Sequence, residues 1–563
     1  MQGFYKQVSA LVIASVGCAT GALAHGVPCA SLSSLHLPDT TITIAAVVPA
    51  NSFTPPGGTV PFDTAACRVA GSIKPTSDSN IQFELWMPAD DWNGKFLSAG
   101  EGGFAGSINY GGIAGALRRG YASGSTDTGH VGGTPDFAPG HPEKVIDFGY
   151  RAKHLQAVRS KDIIRAFYGH PVQHAYFSSC SNGGRQALME IQRFPDDYDG
   201  VLVGAPANNW THHFGGFVWN ERALFDTAGA WISASKLGAM QAATLATCDG
   251  LDGVVDGVAE DPRRCEFDPQ TLACPAGTDG PSCLTPAQVT AVKKIVQGPR
   301  NPRTRRAIYP GYFTSAAGEP ASWPAWITGP NTPGASIQAF FGNGFFGRVV
   351  NEIPAPGVWD YTTFNFDSDE TFADNKEART FNATEADLSP FRRANRHGKI
   401  IMWHGWEDPA ISALDAVDYY RQVVRENHDS ADFFRLFMVP GMLHCAGGPG
   451  PNAFGQSLPQ ATPLSNSPRD DILSALERWV EQGVPPRRIT AVKYVNDNPA
   501  LGVARTRPLC AYPKVAEYDG SGSTDDAANF RCRAPHHANN NHDGGHGDND
   551  RHDNDHDDDE NDD

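Results

Sequence analysis

The chain is short of several things, and each shortage removes a class of protein. Beyond residue 24 it has no apolar run long enough to cross a bilayer. Such a span needs about 20 consecutive apolar residues, so stable membrane insertion is excluded. It is also short of positive charge, with 45 Lys and Arg against 63 Asp and Glu and a net of -18. Nucleic-acid partners need basic side chains to replace phosphate counterions, and anionic lipid makes the same demand. No two cysteines stand in a C-x2-C spacing, which argues against a zinc site. There is no internal repeat.

The length, 563 residues, exceeds one ordinary domain and allows a large core with a second domain or a big insertion. Apolar residues make up 40% and charged residues 19%, an ordinary globular balance. With 59 Gly and 42 Pro, long ordered loops are expected rather than a helical bundle. Much of the negative charge is concentrated in residues 536–563, which hold ten Asp, one Glu and one Arg, with six His among them. That composition cannot build a core and predicts a disordered His/Asp-rich tail.

Lys6 followed by the small and apolar stretch Ala10–Ala24 reads as an export signal, too short to span a bilayer. Ala22-Leu23-Ala24 fits signal cleavage. Residues 1–24 are therefore expected to be a signal peptide, and the mature protein to be secreted or periplasmic. Cleavage removes Cys18, where Ser15 spoils the match to a lipoprotein site. Ten cysteines remain, and an even number in an exported protein reads as disulfides.

From Ile81 the pattern alternates strand and helix. Strands are predicted at Phe83–Met87, Gly94–Leu97, His174–Ser178, Val201–Gly204, Lys399–Trp403 and Phe433–Val439. Helices are predicted at Lys153–Tyr168, Arg185–Phe194, Ala413–Glu426 and Arg469–Gln482. This order implies a mostly parallel sheet with helices on both faces, preceded by a β-rich lead-in over residues 25–80. Between Pro206 and about Glu385 the alternation fails. We read residues 25–207 and 386–535 as one α/β domain and 208–385 as an inserted lid.

Tyr176 to Arg185 (YFSSCSNGGR) reads as a strand, a tight turn of small residues and a helix, the layout of a nucleophile elbow presenting Ser181. Gly183 supplies the last position of the usual G-x-S-x-G, and Ser179 replaces the first Gly. On this fold the order is Ser, acid, His. Asp408 and Glu407, after the Lys399–Trp403 strand, both qualify as the acid by position. His444, in the Gly-rich loop after the next strand, supplies the base. Cys180 precedes Ser181 and Cys445 follows His444. If these two pair, their Cα atoms are held about 5.5–6 Å apart and the base is delivered to the nucleophile.

Together, Cys180-Ser181-x-Gly183-Gly184, Asp408 and His444-Cys445 resemble the CS-D-HC motif of the tannase/feruloyl esterase family, which also contains mono(2-hydroxyethyl) terephthalate hydrolases. The resemblance runs from about Cys29 to Cys532. It implies an α/β-hydrolase fold with a lid, Asp408 rather than Glu407 as the acid, and a Cys180–Cys445 bond. It also implies the bridges Cys29–Cys67, Cys248–Cys265, Cys274–Cys283 and Cys510–Cys532.

One oxyanion donor is expected to be the N–H of Asn182. The other should come from Ser98–Gly106, where Gly102 and Gly103 both qualify and no P-loop Lys is present. In the lid, Asp249, Asp252 and Asp256 stand among turn-forming glycines, and their carboxylates could converge with the carbonyls of Val254 and Val258. The resemblance implies a structural Ca2+ at those five positions. It also makes His404 a candidate substrate contact. Lid aromatics expected to grip a flat acyl group are Trp323, Trp326, Phe340, Phe341, Phe345 and Phe346.

The function these readings imply is a serine carboxylesterase acting on small aromatic esters, with feruloyl or related hydroxycinnamoyl esters first. Galloyl esters and terephthalate monoesters are the alternatives. A non-catalytic, calcium-dependent binding protein would need a missing triad member, whereas all three are present in order. Metal scavenging by the tail is a further reading, against that of a solubilising appendage.

Overall fold

A computed structural model describes residues 26–535, apart from 57, 59, 395–396 and 457–460. The expected export segment and the acidic tail lie outside the described residues. A nine-stranded sheet forms the centre. Its strands are β1 (Thr40–Val48), β2 (Ala66–Ile73), β3 (Ile81–Pro88), β4 (Lys95–Ala99), β5 (Ala122–Thr126), β6 (His174–Cys180), β7 (Gly200–Gly204), β8 (Lys399–Gly405) and β9 (Phe434–Val439). They lie in the order β1-β2-β3-β5-β4-β6-β7-β8-β9. Strands β4 to β9 run parallel, and β1 to β3 extend the sheet in antiparallel pairing.

The helices of eight or more residues are α1 (Tyr110–Leu117), α2 (Ala152–Tyr168), α3 (Asn182–Arg193), α4 (Trp210–Phe225), α5 (Ala234–Cys248), α6 (Pro286–Gln297), α7 (Ile337–Gly344), α8 (Ser368–Phe381), α9 (Ala413–Glu426) and α10 (Ile472–Gln482). Side-chain alternation along the strands feeds two cores. Phe177, Val201, Val203, Ile400 and Met402 pack with α2, α3 and α9 through Ile163, Leu188, Ile191 and Val417. Tyr176, Leu202, Ile401 and Trp403 face the other way, onto Leu473, Leu476 and Trp479 of α10. Covered on both faces, β7 and β8 are buried and their sequences are continuous apolar runs.

The predicted elements appear with small shifts at their ends. The helix expected from Arg185 starts at Asn182, and the one expected from Arg469 starts at Ile472. Asp471 sets the second boundary by accepting the N–H groups of Leu473 (2.9 Å) and Ser474 (3.2 Å) as an N-cap. The segment between β7 and β8 carries α4 to α8, with α4 and α8 packed around Trp210, Phe214, Phe217, Phe345 and Phe381, and α5 and α6 around Leu237, Met240, Val289 and Val292. All five expected disulfides are present. Among the described residues no helix is long and apolar enough to cross a membrane.

Candidate active site

Ser181 stands between the end of β6 and the start of α3, with φ 66° and ψ −126°. A side-chain-bearing residue holds that left-handed backbone only when its surroundings impose it. Here the Ser181 N–H donates to the Gly204 carbonyl (3.0 Å), and its own carbonyl accepts from Arg185 (3.1 Å) and Ala207 (3.3 Å). The turn closes because glycines flank it. A Cβ on Gly183 would fall 1.9 Å from Ser179 Oγ, and one on Gly184 would fall 2.2 Å from the Gly204 carbonyl oxygen. Gly100 makes the same allowance on the other side, since a Cβ there would sit 2.7 Å from that of Ser179. Ser179 can therefore replace the usual first glycine of the elbow.

The Cys180–Cys445 bond joins this turn to the loop after β9, with Cα atoms 6.0 Å apart across a sequence separation of 265. Closing so long a loop restricts the unfolded chain by about 5 kcal/mol in the loop-entropy account. It brings His444 beside the turn, so that Ser181 and His444 line one cleft.

His444 Nδ1 lies 2.8 Å from Asp408 Oδ2. The other oxygen of Asp408 accepts the N–H groups of Ala410 (2.8 Å) and Ile411 (2.9 Å). Burial alone would raise this carboxyl, but the neighbouring imidazoles of His444 and His404 outweigh it and hold it well below the usual carboxylate range. Glu407, one residue earlier, turns away. It accepts from Ser315 Oγ and from the Ala316 N–H (3.1 Å), and burial pushes its carboxyl up to about 7. Position in sequence left both carboxylates open, and geometry assigns only Asp408 to the imidazole.

His404 requires a correction. Expected at the substrate, it is fully buried and absent from the cleft lining. Its Nε2 lies 3.0 Å from the Ile411 carbonyl and 3.3 Å from Asp408 Oδ2. It sits near the end of β8 and is enclosed beneath the acid loop, where it supports the carboxylate.

The cleft measures about 380 Å³. Ser181, Asn182, His444 and the Gly100–Gly103 loop line it from the sheet, and Trp210, His213, Phe214, Phe217, Trp326 and Phe341 line it from the insertion. Of the aromatics expected there, Trp326 and Phe341 arrive. Trp323, Phe345 and Phe346 are core, and Phe340 is exposed and outside the lining. Trp326 meets the His444 ring edge-on at 5.1 Å and lies nearly parallel to Phe341 at 6.3 Å. The α4 wall was missed, although Trp210, Phe214 and Phe217 stand at helical spacing directly after β7. No Asp, Glu, Lys or Arg lines the cleft among the described residues. His213 lies 3.0 Å from the Ala410 carbonyl through Nε2, and burial lowers its pKa to about 4, leaving it neutral.

The Gly-rich loop is clamped to the elbow helix at Glu101. Gln186 Oε1 accepts the Glu101 N–H (3.0 Å), and Asn182 Nδ2 donates to the Glu101 carbonyl (3.1 Å). The buried Arg185 in turn holds Asn182 Oδ1 at 2.8 Å. With the Glu101 amide engaged, Gly102 and Gly103 are the cleft-lining glycines that follow it, and Gly103 takes a positive φ of 57°.

In the 249–258 loop, Asp249 accepts the N–H groups of Asp256 (3.1 Å) and Gly257 (3.0 Å), and Asp252 accepts that of Val254 (2.9 Å). Asp252, Asp256 and Val258 line a small pocket together with Glu260 and Arg507. Asp256 is paired with Arg505 (2.8 Å) and with Arg507. Burial, reinforced by Asp256, raises the Asp252 carboxyl to about 6. Burial, reinforced by Asp252, raises Glu260 to about 8. Glu260, which sequence reasoning missed, lines the same small pocket as Asp252 and Asp256.

A mostly parallel sheet carrying a serine on a left-handed strand-to-helix turn defines the α/β-hydrolase fold. The family model described as tannase and feruloyl esterase matches residues 67–533, and the chain belongs to that family of carboxylic ester hydrolases. An uncharacterized esterase of Xanthomonas campestris pv. campestris is 43% identical over 544 residues, covering 92% of this chain and 93% of that one. The mono(2-hydroxyethyl) terephthalate hydrolase of Piscinibacter sakaiensis is 34% identical, covering 83% of this chain and 85% of its own. The crystal structure of feruloyl esterase B from Aspergillus oryzae superposes with a TM-score of 0.81 at 31% identity, covering 90% of this chain and 99% of that one.

Proposed function

We propose that the protein is an exported serine carboxylesterase that hydrolyses uncharged esters of aromatic acids, with feruloyl and related hydroxycinnamoyl esters as its main substrates. Ser181 attacks the ester carbonyl and His444 takes its proton. Asp408 holds the imidazole in the required tautomer and stabilises its cation. The N–H of Asn182 and that of Gly102 or Gly103 receive the oxyanion, and water releases the acid from the acyl-enzyme.

The observation that carries the acyl preference is the cleft wall. Among the described residues five aromatic side chains line it and no Asp, Glu, Lys or Arg does. A flat aromatic acyl group stacks there, whereas the free carboxylate of a terephthalate monoester would be desolvated without a partner. Galloyl esters remain the nearer alternative. A mono(2-hydroxyethyl) terephthalate hydrolase is among the relatives, but this cleft supports that substrate least. The five disulfides accord with an oxidising compartment, and the signal-like N-terminus with export.

Asp249, Asp252 and Asp256, with the carbonyls of Val254 and Val258, would hold a structural Ca2+. The all-oxygen donor set and the pocket shared by Asp252, Asp256, Val258 and Glu260 support it. The ion would brace the loop, and no chemical step passes through it.

A panel of methyl ferulate, methyl gallate and mono(2-hydroxyethyl) terephthalate tests the reading. The expected order of kcat/KM is as written, and Ser181→Ala should lower kcat about 10⁵- to 10⁶-fold on every active substrate. Near-normal turnover by Ser181→Ala would end the assignment, and a preference for the terephthalate monoester would end the argument from the uncharged cleft.

A further inference from the structure

A second group of ionisable side chains, outside the site above, joins the two ends of the insertion. His212 stands in the first turn of α4, the first helix after β7. Glu370 and Asp374 stand four residues apart on one face of α8, the last helix of eight or more residues before β8. One ligand atom from each of the three residues lies within 4.8 Å of the others.

The arrangement resembles a prepared ligand set. His212 Nδ1 lies 3.0 Å from the carbonyl of Ile308, which fixes the ring and points Nε2 at the carboxylates. Thr211 Oγ1 donates to Asp374 Oδ1 at 2.6 Å, and Asn382 Nδ2 donates to that hydroxyl at 2.9 Å. Asp374 Oδ2 is left facing His212 Nε2 at 2.9 Å. A plain His212–Asp374 ion pair would satisfy those two residues and leave the third stranded. Glu370 is only 5% exposed, neither of its oxygens has a hydrogen-bond partner, and its Oε1 is 4.0 Å from His212 Nε2. Buried polar atoms are almost always partnered, so an orphaned carboxylate asks for a ligand. Its place is made by Gly215, where a Cβ would fall 2.4 Å from Glu370 Oε2.

We propose that His212, Glu370 and Asp374 form a divalent transition-metal site, best suited to Zn2+, that ties α4 to α8. One imidazole nitrogen and two carboxylate oxygens suit zinc, whereas calcium takes oxygen donors alone. In a tetrahedral site with bonds of about 2.0 Å, ligand atoms stand about 3.3 Å apart. The observed 2.9 and 4.0 Å bracket that spacing. The His212 and Asp374 side chains are 31% and 36% exposed, which gives an ion access and leaves a water as fourth ligand. The other three-residue cluster among the described residues, His154, Glu190 and Asp197, already has the Lys161 amine 3.9 Å from Asp197 Oδ1. At the proposed site the ion would clasp the entry and exit of the insertion, on the helix that carries Trp210, His213 and Phe214 into the cleft.

The test is Zn2+ uptake by the full chain after removal of metals with chelator, measured by equilibrium dialysis and elemental analysis against a competing chelator. The unaltered protein is compared with Glu370→Gln and Asp374→Asn. The acidic tail and the 249–258 loop are the same in all three, so only the difference between proteins counts. One tightly held Zn2+ is expected in the unaltered protein, with affinity at least 100-fold weaker in each variant. A rise in Tm on adding Zn2+ should appear only in the unaltered protein. Circular dichroism of the metal-free proteins checks folding. If Asp374→Asn fails that check, Glu370→Gln decides, since its carboxyl takes part in no hydrogen bond. Equal tight binding by the unaltered protein and Glu370→Gln, or no tight Zn2+ in the unaltered protein, would overturn the proposal.

Discussion

The two walls of the cleft are made by different means. The sheet wall is set by backbone: a left-handed Ser181, glycines where any Cβ would collide, and a disulfide to the His444 loop. The insertion wall is set by side chains, a row of aromatic rings on α4 and near α7 with no Asp, Glu, Lys or Arg among the described residues there. Chemistry that tolerates no displacement rests on the first wall. In the function proposed above, selection of the acyl group, which tolerates graded change, rests on the second.

Changes to the first wall should be nearly all-or-none. Asp408→Asn should lower kcat about 10⁴-fold, while Glu407→Gln, one residue away but turned toward Ser315, should leave kcat within about 3-fold. Steady-state kinetics on methyl ferulate check both, and similar losses from the two would erase the distinction between these carboxylates. Changes to the second wall should be graded. Trp326→Ala or Phe341→Ala should raise KM for methyl ferulate about 5- to 30-fold, as loss of a ring contact worth about 1–2 kcal/mol implies. KM for a small aliphatic ester should move much less.

The smallest expected effect lies away from both walls. In ion-free protein the raised Asp252 and Glu260 carboxyls stabilise the fold while protonated, and that contribution is lost as pH rises through about 6 to 8. Calcium favours the ionised forms. The gap in Tm between calcium-loaded and chelator-treated protein should therefore widen from pH 5 to pH 8, reaching a few degrees at hundredfold ligand excess. Differential scanning fluorimetry measures it, and a gap that narrows with rising pH would count against the ion.

The first wall was legible in the sequence because its signals are local or ordered along the chain. Small residues mark the turn at Ser181, apolar runs mark β7 and β8, and the order Ser, Asp, His follows the strands. The cysteines beside Ser181 and His444 added a second, independent mark. The second wall was legible only in part. Aromatic composition said that rings were available, but Trp323 and Phe345 are spent on packing, and which ring faces the cleft depends on helix orientation. The stripe Trp210, Phe214, Phe217 was there to be found by its spacing. His404 and Glu407 show the same limit, since a residue's distance from the acid along the chain says nothing of where its side chain points.

The bond between Cys180 and Cys445 also makes oxidation part of how the centre is assembled. The two halves of the reactive centre emerge from the ribosome 265 residues apart, and sulfur couples them only where oxidation is permitted. A chain whose two thiols are still reduced carries every part of the centre without the latch that keeps them in register.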